Sequence, residues 1–201
     1  LYLKSHIRFR DAKSLIREAD VLLFRDRRIF SPFVKLAGRG RYSHCAIASL
    51  HGATPECIEF REFRGGRAVS LEEQVRQRSG CIDVYRPTPY NVIYDRNCLD
   101  GRTINLQPEV VTNTARELTG RPYSYKSIFW MGLTHLAGFR LCYQANYDDL
   151  TKIKGLVCSS MVSYAFRATG YDLVPNLADS YTEPSDISRS ALLSYLFTLV
   201  K

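Results

Sequence analysis

Apolar positions along this chain follow two periods, and the switches between them divide the sequence into elements. Val21-Leu22-Leu23-Phe24 is a short apolar run closed by Asp20 on one side and by Arg25-Asp26-Arg27-Arg28 on the other, which predicts a buried strand. Tyr42 to Ser49 predicts a second strand. Tyr42, His44, Ala46 and Ala48 share one face, Cys45 and Ile47 the other. The His44 face is otherwise small, as it must be if a helix lies close over it. Past a turn at His51-Gly52, Cys57 to Arg61 predicts a third strand with Glu59 facing opposite to Ile58 and Phe60. Cys81 to Arg86 predicts a fourth, ended by Pro87 and Pro89.

Helical spacing fills much of the remainder. Short helices are predicted from Asp11 to Ala19 and from Pro32 to Ala37, the latter capped by Ser31 and stopped at Gly38. Ser70-Leu71-Glu72-Glu73 reads as a capping box opening a helix to about Arg78, after Gly65-Gly66 turns the chain. Pro108 to Leu118 predicts a helix stopped by Gly120, and the aromatic segment Tyr125 to Tyr147 is largely helical in pattern. Cys158, Met161, Val162, Ala165 and Phe166 form one stripe of a helix ending at Gly170. Pro184-Ser185-Asp186 starts another helix, and residues 188–201 read as a C-terminal amphipathic helix.

The chemistry begins at Cys158. In the first turn of a helix, unpaired backbone N–H groups and the helix dipole favour an anion, which pushes a thiol toward its nucleophilic thiolate. A cysteine hydrolase also needs an imidazole to hold and return the proton, and a polar group to orient that imidazole. In a hairpin turning near residues 51–53, Glu59 falls beside His44 on one face. Each residue alone has an ordinary alternative: a small apolar core Cys, a structural strand His, a solvated strand Glu.

Composition narrows the partners. With 201 residues, 45% of them apolar, the chain suits one domain with a substantial core. No apolar run reaches membrane-span length and no signal sequence opens the chain. Lys and Arg outnumber Asp and Glu 28 to 20, which suggests an anionic polymer or lipid as partner. No nucleic-acid motif is present, and Gly38-Arg39-Gly40-Arg41 lacks the strand-to-helix frame of a phosphate loop. The six cysteines form no C-x-x-C pair and only four histidines are available to join them, which argues against a structural metal; no cofactor is expected. Reduced thiols in a reducing compartment, cytoplasmic or virion-associated, fit their scatter.

Seven segments resemble one family. Ala19-Asp20-Val21-Leu22-Leu23-Phe24 is similar to its opening G-D-I-L-L-F strand, and Tyr42-Ser43-His44-Cys45-Ala46-Ile47 to its Y-S-H-V-G-I. Ile58-Glu59 and Val84-Tyr85-Arg86 match the next two strands, and Gly120-Arg121-Pro122-Tyr123 resembles G-x-P-Y. Val157 to Val162 resembles the C-S-S-L-V nucleophile helix, and Pro184-Ser185-Asp186 its tail. The family is the circularly permuted branch of the NlpC-type papain-like hydrolases, the YiiX-like group, in which His precedes Cys.

The resemblance implies an α+β, permuted papain-like fold: a small antiparallel sheet or barrel with the nucleophile helix packed across it, over residues 19–187. It implies Cys158 as nucleophile, His44 as base, Glu59 as orienting residue, and Tyr123 with the Cys158 backbone N–H near the oxyanion. Residues 1–18 form an N-terminal extension, and an aromatic insertion at about 125–154 is expected to wall the site. The expected function is a thiol hydrolase cleaving an amide, foremost in a cell-wall peptide. The same site acting on a lipid acyl group is the alternative, and a non-enzymatic scaffold or virion component the third.

Overall fold

A computed structural model describes residues 5–25, 40–51, 54–88, 106–126, 155–175 and 177–201. The predicted helix at 32–37 and the aromatic segment beyond residue 126 lie outside these. Among the described residues, seven strands form one sheet: β1 (His6–Arg8), β2 (Val21–Arg25), β3 (His44–Ser49), β4 (Glu56–Arg61), β5 (Gly65–Ser70), β6 (Cys81–Pro87) and β7 (Leu193–Val200). Their spatial order is β1-β7-β6-β2-β3-β4-β5. Every pairing is antiparallel except β1 with β7. The fold is α+β with an open sheet.

The described helices are α1 (Phe9–Ala12), α2 (Leu71–Gln77), α3 (Pro108–Glu117), α4 (Cys158–Arg167) and α5 (Pro184–Ile187). Ser70 caps α2 by accepting the Glu73 N–H, and Pro108 opens α3. Among the described residues no helix is long and apolar enough to cross a membrane.

Both faces of the sheet are buried, so β2 and β3 carry apolar side chains on each. Val21, Leu23, Cys45, Ile47, Ile58 and Phe60 meet Met161, Val162, Ala165 and Phe166 of α4 and Val111 and Ala115 of α3. On the other face Leu22, Phe24, Ala46, Ala48 and Cys57 meet Leu71 and Val75 of α2 and Phe9, Ala12 and Ile16 near the N-terminus. The helix over the small Ala46–Ala48 surface is therefore α2, and the Cys158 helix lies on the opposite side.

The helix predicted from Asp11 to Ala19 is instead the single turn Phe9–Ala12 followed by a 3-10 turn at Lys13–Leu15, and the left-handed Ala19 lies outside any helix. Two further elements depart from the sequence reading. Residues 188–201 do not form an amphipathic helix: Leu193–Val200 is strand β7, paired on one side with β6 and on the other with β1. Leu192, Leu193, Leu196, Phe197 and Val200 are spaced for a helical stripe, but two neighbouring strands take up this segment's backbone groups, and apolar side chains suit both of its faces. Likewise Gly65-Gly66 does more than turn the chain, because it begins β5, paired with β4 from Glu56↔Ser70 to Arg61↔Gly65.

Gly65 sits at φ 65°, and a Cβ there would lie 2.3 Å from the Arg121 carbonyl oxygen. Gly120 has φ 80° with nothing within 4 Å of the same position. Gly65→Ala is therefore expected to destabilise by clearly more than Gly120→Ala. The latter should cost about 1 kcal/mol of left-handed strain, and the former that plus displacement of the Arg121 backbone. Equal midpoints for the two variants in urea unfolding would show that the close approach is not a constraint.

Candidate active site

His44 opens β3, and the chain entering it is held from two sides. The Ser43 N–H donates to the Phe24 carbonyl at 2.9 Å. The Tyr42 hydroxyl donates to Asp83 at 2.8 Å and lies 2.9 Å from the Tyr85 hydroxyl. Glu59 pairs across the ladder with Ala46, two residues beyond His44, so the two side chains are diagonal neighbours on one face. The outcome is a bond: His44 Nε2–H donates to Glu59 Oε2 at 2.8 Å.

Glu59 serves more than the histidine. Arg67, its partner on β5, donates to Oε1 from Nε at 3.0 Å and from Nη2 at 2.6 Å. Arg78, just after α2, reaches Oε2 at 3.3 Å, while Gln74 accepts from its guanidinium at 3.3 and 3.2 Å. The Arg78 guanidinium also stacks 4.1 Å above the Phe24 ring, whose other neighbour is the His44 imidazole at 5.0 Å. Glu59 is fully buried. Burial pushes its carboxyl up, but the hydrogen bond and charge of His44, then the charge of Arg78 and the bond from Arg67, outweigh that and bring it to about 2.

Cys158 is the first residue of α4, after the extended Val157, and no side chain caps this helix start. The residue is only 6% exposed, and His44 and Cys45 are the groups that act on its thiol. The strongest influence on it is the bond from the Cys45 side chain, which lowers its pKa. Burial opposes this, and the charge and hydrogen bond of His44 and the Cys45 backbone reinforce it, leaving the thiol well below its ordinary range. Cys45 itself is pushed well above that range, first by burial and then by its bond to Cys158, so it stays a protonated donor. Burial pushes His44 down, but the charge and hydrogen bond of Cys158 and then those of Glu59 carry it above its usual value. The two shifts run in the directions that favour a thiolate beside an imidazolium. Since Nε2 faces Glu59, Nδ1 is the nitrogen left for the thiol.

Tyr123 is brought to this thiol by backbone alone. A parallel bridge joins Tyr123 to Leu156, with Leu156 N–H donating to Pro122 and Ser124 N–H to Leu156 at 3.2 and 3.1 Å. Gly155 permits the approach, since a Cβ there would lie 3.0 Å from the Pro122 carbonyl oxygen. The same turn is tied to β5 by bonds from Gly66 to Arg121 and from Gly120 to Gly66, at 2.9 and 2.8 Å. Burial, then the charge of Cys158, holds the Tyr123 hydroxyl protonated.

The structure thus brings together Cys158, His44, Glu59 and Tyr123. His135, Cys98 and Cys142 lie outside the described residues; Cys45, Cys57, Cys81 and Cys158 are free thiols. Arg67, Arg78 and Cys45 were not among the residues singled out from sequence. Arg67 becomes visible only once β5 is recognised as a strand. Arg78 lies at the predicted end of α2 without any pattern linking it to Glu59. Cys45 faces away from His44 in strand alternation, yet that is the face on which α4 packs.

No family model matches the chain, and no curated protein does. Among solved structures it is similar to the metalloprotein YiiX from Escherichia coli O157:H7, at 15% identity and a TM-score of 0.50, over 92% of this chain and 98% of that one. At that identity the likeness concerns the fold.

Removing the Glu59 charge would leave Arg67, Arg78 and His44 around a neutral group. Glu59→Gln is expected to destabilise by about 3 kcal/mol at neutral pH, the cost of breaking a buried pair by removing one partner. Because the folded carboxyl is depressed to about 2 from 4.5, its contribution is present above pH 4.5 and lost as pH falls toward 2. The acid limb of melting temperature against pH should be shallower in Glu59→Gln than in the wild type. Superimposable limbs would contradict this account.

Proposed function

We propose that this chain is a thiol hydrolase that cleaves an amide through an acyl-enzyme on Cys158, with a cell-wall peptide as the substrate class. The observation that carries the reading is the His44 ring, held by Glu59 at Nε2 while the charge of the buried helix-start Cys158 thiol acts on it. In this reading the Cys158 thiolate attacks the carbonyl carbon, and the oxygen takes up negative charge facing the Cys158 N–H and the Tyr123 hydroxyl. The His44 imidazolium gives its proton to the leaving amine as the C–N bond breaks. It then takes a proton from water, which attacks the thioester and releases the carboxylate and the thiolate. Glu59 orients the ring throughout and stays ionised.

The similar solved structure is described as a metalloprotein. Among the described residues here, no group of three or more His, Cys, Asp or Glu side chains converges as metal ligands, and the Glu59 oxygens are already taken by Arg67, Arg78 and His44. The donor set does not fit a metal, and no step is routed through one.

One observation favours a second reading, a lipid acyl bond cleaved at the same site. Phe63 lies in the turn beside the cleft that reaches His44 and is 90% exposed, as an aromatic that dips into an apolar phase would be.

Cys158 should be alkylated by iodoacetamide faster than Cys45, Cys57 or Cys81, and should remain reactive well below the ordinary thiol pKa of about 8.5. His44→Ala should slow that labelling and move it to higher pH. Against peptidoglycan fragments and phospholipids, Cys158→Ser should fold normally and lose several orders of magnitude in turnover. An active wild type with an equally active Cys158→Ser variant would end the thiol mechanism, and the responsive half of the substrate panel would choose between the two readings.

A further inference from the structure

A cleft of about 580 Å³ runs from His44 and Tyr123 along the β4–β5 turn to α2. Arginine is its commonest charged lining residue. Arg61, Arg64, Arg67 and Arg78 line it, against Glu62 and Glu73. Arg67 and Arg78 are committed to Glu59. Among the described residues, neither Arg61 nor Arg64 has a carboxylate partner. Arg61 is half-buried and Arg64 exposed. The charge requirement of the buried site therefore does not explain them.

The turn between them is held in a conformation that its own residues do not favour. Phe63 has φ 62°, a left-handed backbone that costs a non-glycine residue about 1–2 kcal/mol. Its N–H donates to the Tyr125 hydroxyl at 3.0 Å, and its ring lies 5.8 Å from that of Tyr125. Tyr125 in turn stacks edge-on to Tyr123 at 5.4 Å. The turn bearing the two uncommitted guanidinium groups is thus fastened, through two aromatic rings, to the residue beside the thiol.

We propose that this cleft is the subsite for a negatively charged group of the substrate, a phosphate or a carboxylate, held by Arg61 and Arg64 while the reacting carbonyl lies at Cys158. The inference rests on the thiol-hydrolase reading for the position of the carbonyl, but not for the anion site itself. Guanidinium groups suit either anion, because their planar donors meet two oxygens at once. Bound there, the anion would fix the distance between its own position and the scissile bond, which selects substrates by spacing as well as by charge.

Two alkylating agents of similar size but different charge test this without knowledge of the substrate. Iodoacetate carries the carboxylate and iodoacetamide does not. At low salt and neutral pH, the ratio of their rates at Cys158, normalised to the same ratio for glutathione, should fall several-fold in Arg61→Gln/Arg64→Gln. It should fall similarly for the wild type in about 1 M salt, where charges are screened within a few ångström. In parallel, inorganic pyrophosphate and citrate should raise the melting temperature of Cys158→Ser protein, and the same double substitution should abolish the rise.

If iodoacetamide fails to label Cys158, the thiol reading falls, and the melting-temperature arm alone decides the anion site. A normalised ratio and an anion-induced rise that both survive the double substitution overturn the proposal. Co-sedimentation with phosphatidylcholine vesicles only when phosphatidylglycerol is added, lost in the double variant and reduced by Phe63→Ala, assigns the anion to a lipid headgroup. A response to pyrophosphate or citrate without vesicle binding assigns it to a soluble substrate.

Discussion

One buried carboxylate sets the terms for the rest of the site. Glu59 has no access to water and meets three cations, His44, Arg67 and Arg78, that come from different parts of the chain. Each of those cations would be costly to bury alone, and together without Glu59 they would repel one another. Satisfying them at once requires β3, β4 and β5 to pair in one register and α2 to end where Arg78 can reach inward. The orientation of the His44 ring is then a by-product of a charge balance spread over three strands and a helix. Through His44 the same cluster helps to lower the pKa of the Cys158 thiol, after the larger effect of the Cys45 side chain.

Much of this was visible in the sequence where the pattern was local. The runs around Val21–Phe24, Tyr42–Ser49, Cys57–Arg61 and Cys81–Arg86 became strands because side-chain alternation and length are properties of a few residues. The start of α2 at Ser70 and of α3 at Pro108 followed from capping chemistry contained within one turn. The diagonal placing of Glu59 beside His44 followed from hairpin geometry. What was not visible depended on distant partners. Leu193–Val200 has a spacing that serves a helix or a strand, and only β6 and β1 decide the matter. Gly65-Gly66 carries no apolar signature, so β5 and with it Arg67 stayed hidden. Cys45 is indistinguishable from a core residue until α4 is laid against its face.

The Gly120–Tyr123 turn shows how a site is assembled from segments far apart in the sequence. It is bonded at one end to Gly66 and at the other to Leu156, so it fastens the start of β5 to the start of α4. The residues it joins bracket the thiol on one side and the cationic cleft on the other. A displacement of this turn would therefore move Tyr123 and the cleft wall together.

The position of β7 has a consequence for how the molecule is made. It lies inside the sheet, between β1 and β6, although it comes last of the seven strands in the chain. During synthesis β2, β3, β4 and β5 can pair as they emerge, and β6 can join β2, but β1 has no partner until residues 193–200 have left the ribosome. Closing that gap brings together residues 6–8 and 198–200, a long-range pairing of the kind that slows folding. Until then the edge of β6 that β7 will cover is an open template for other strands.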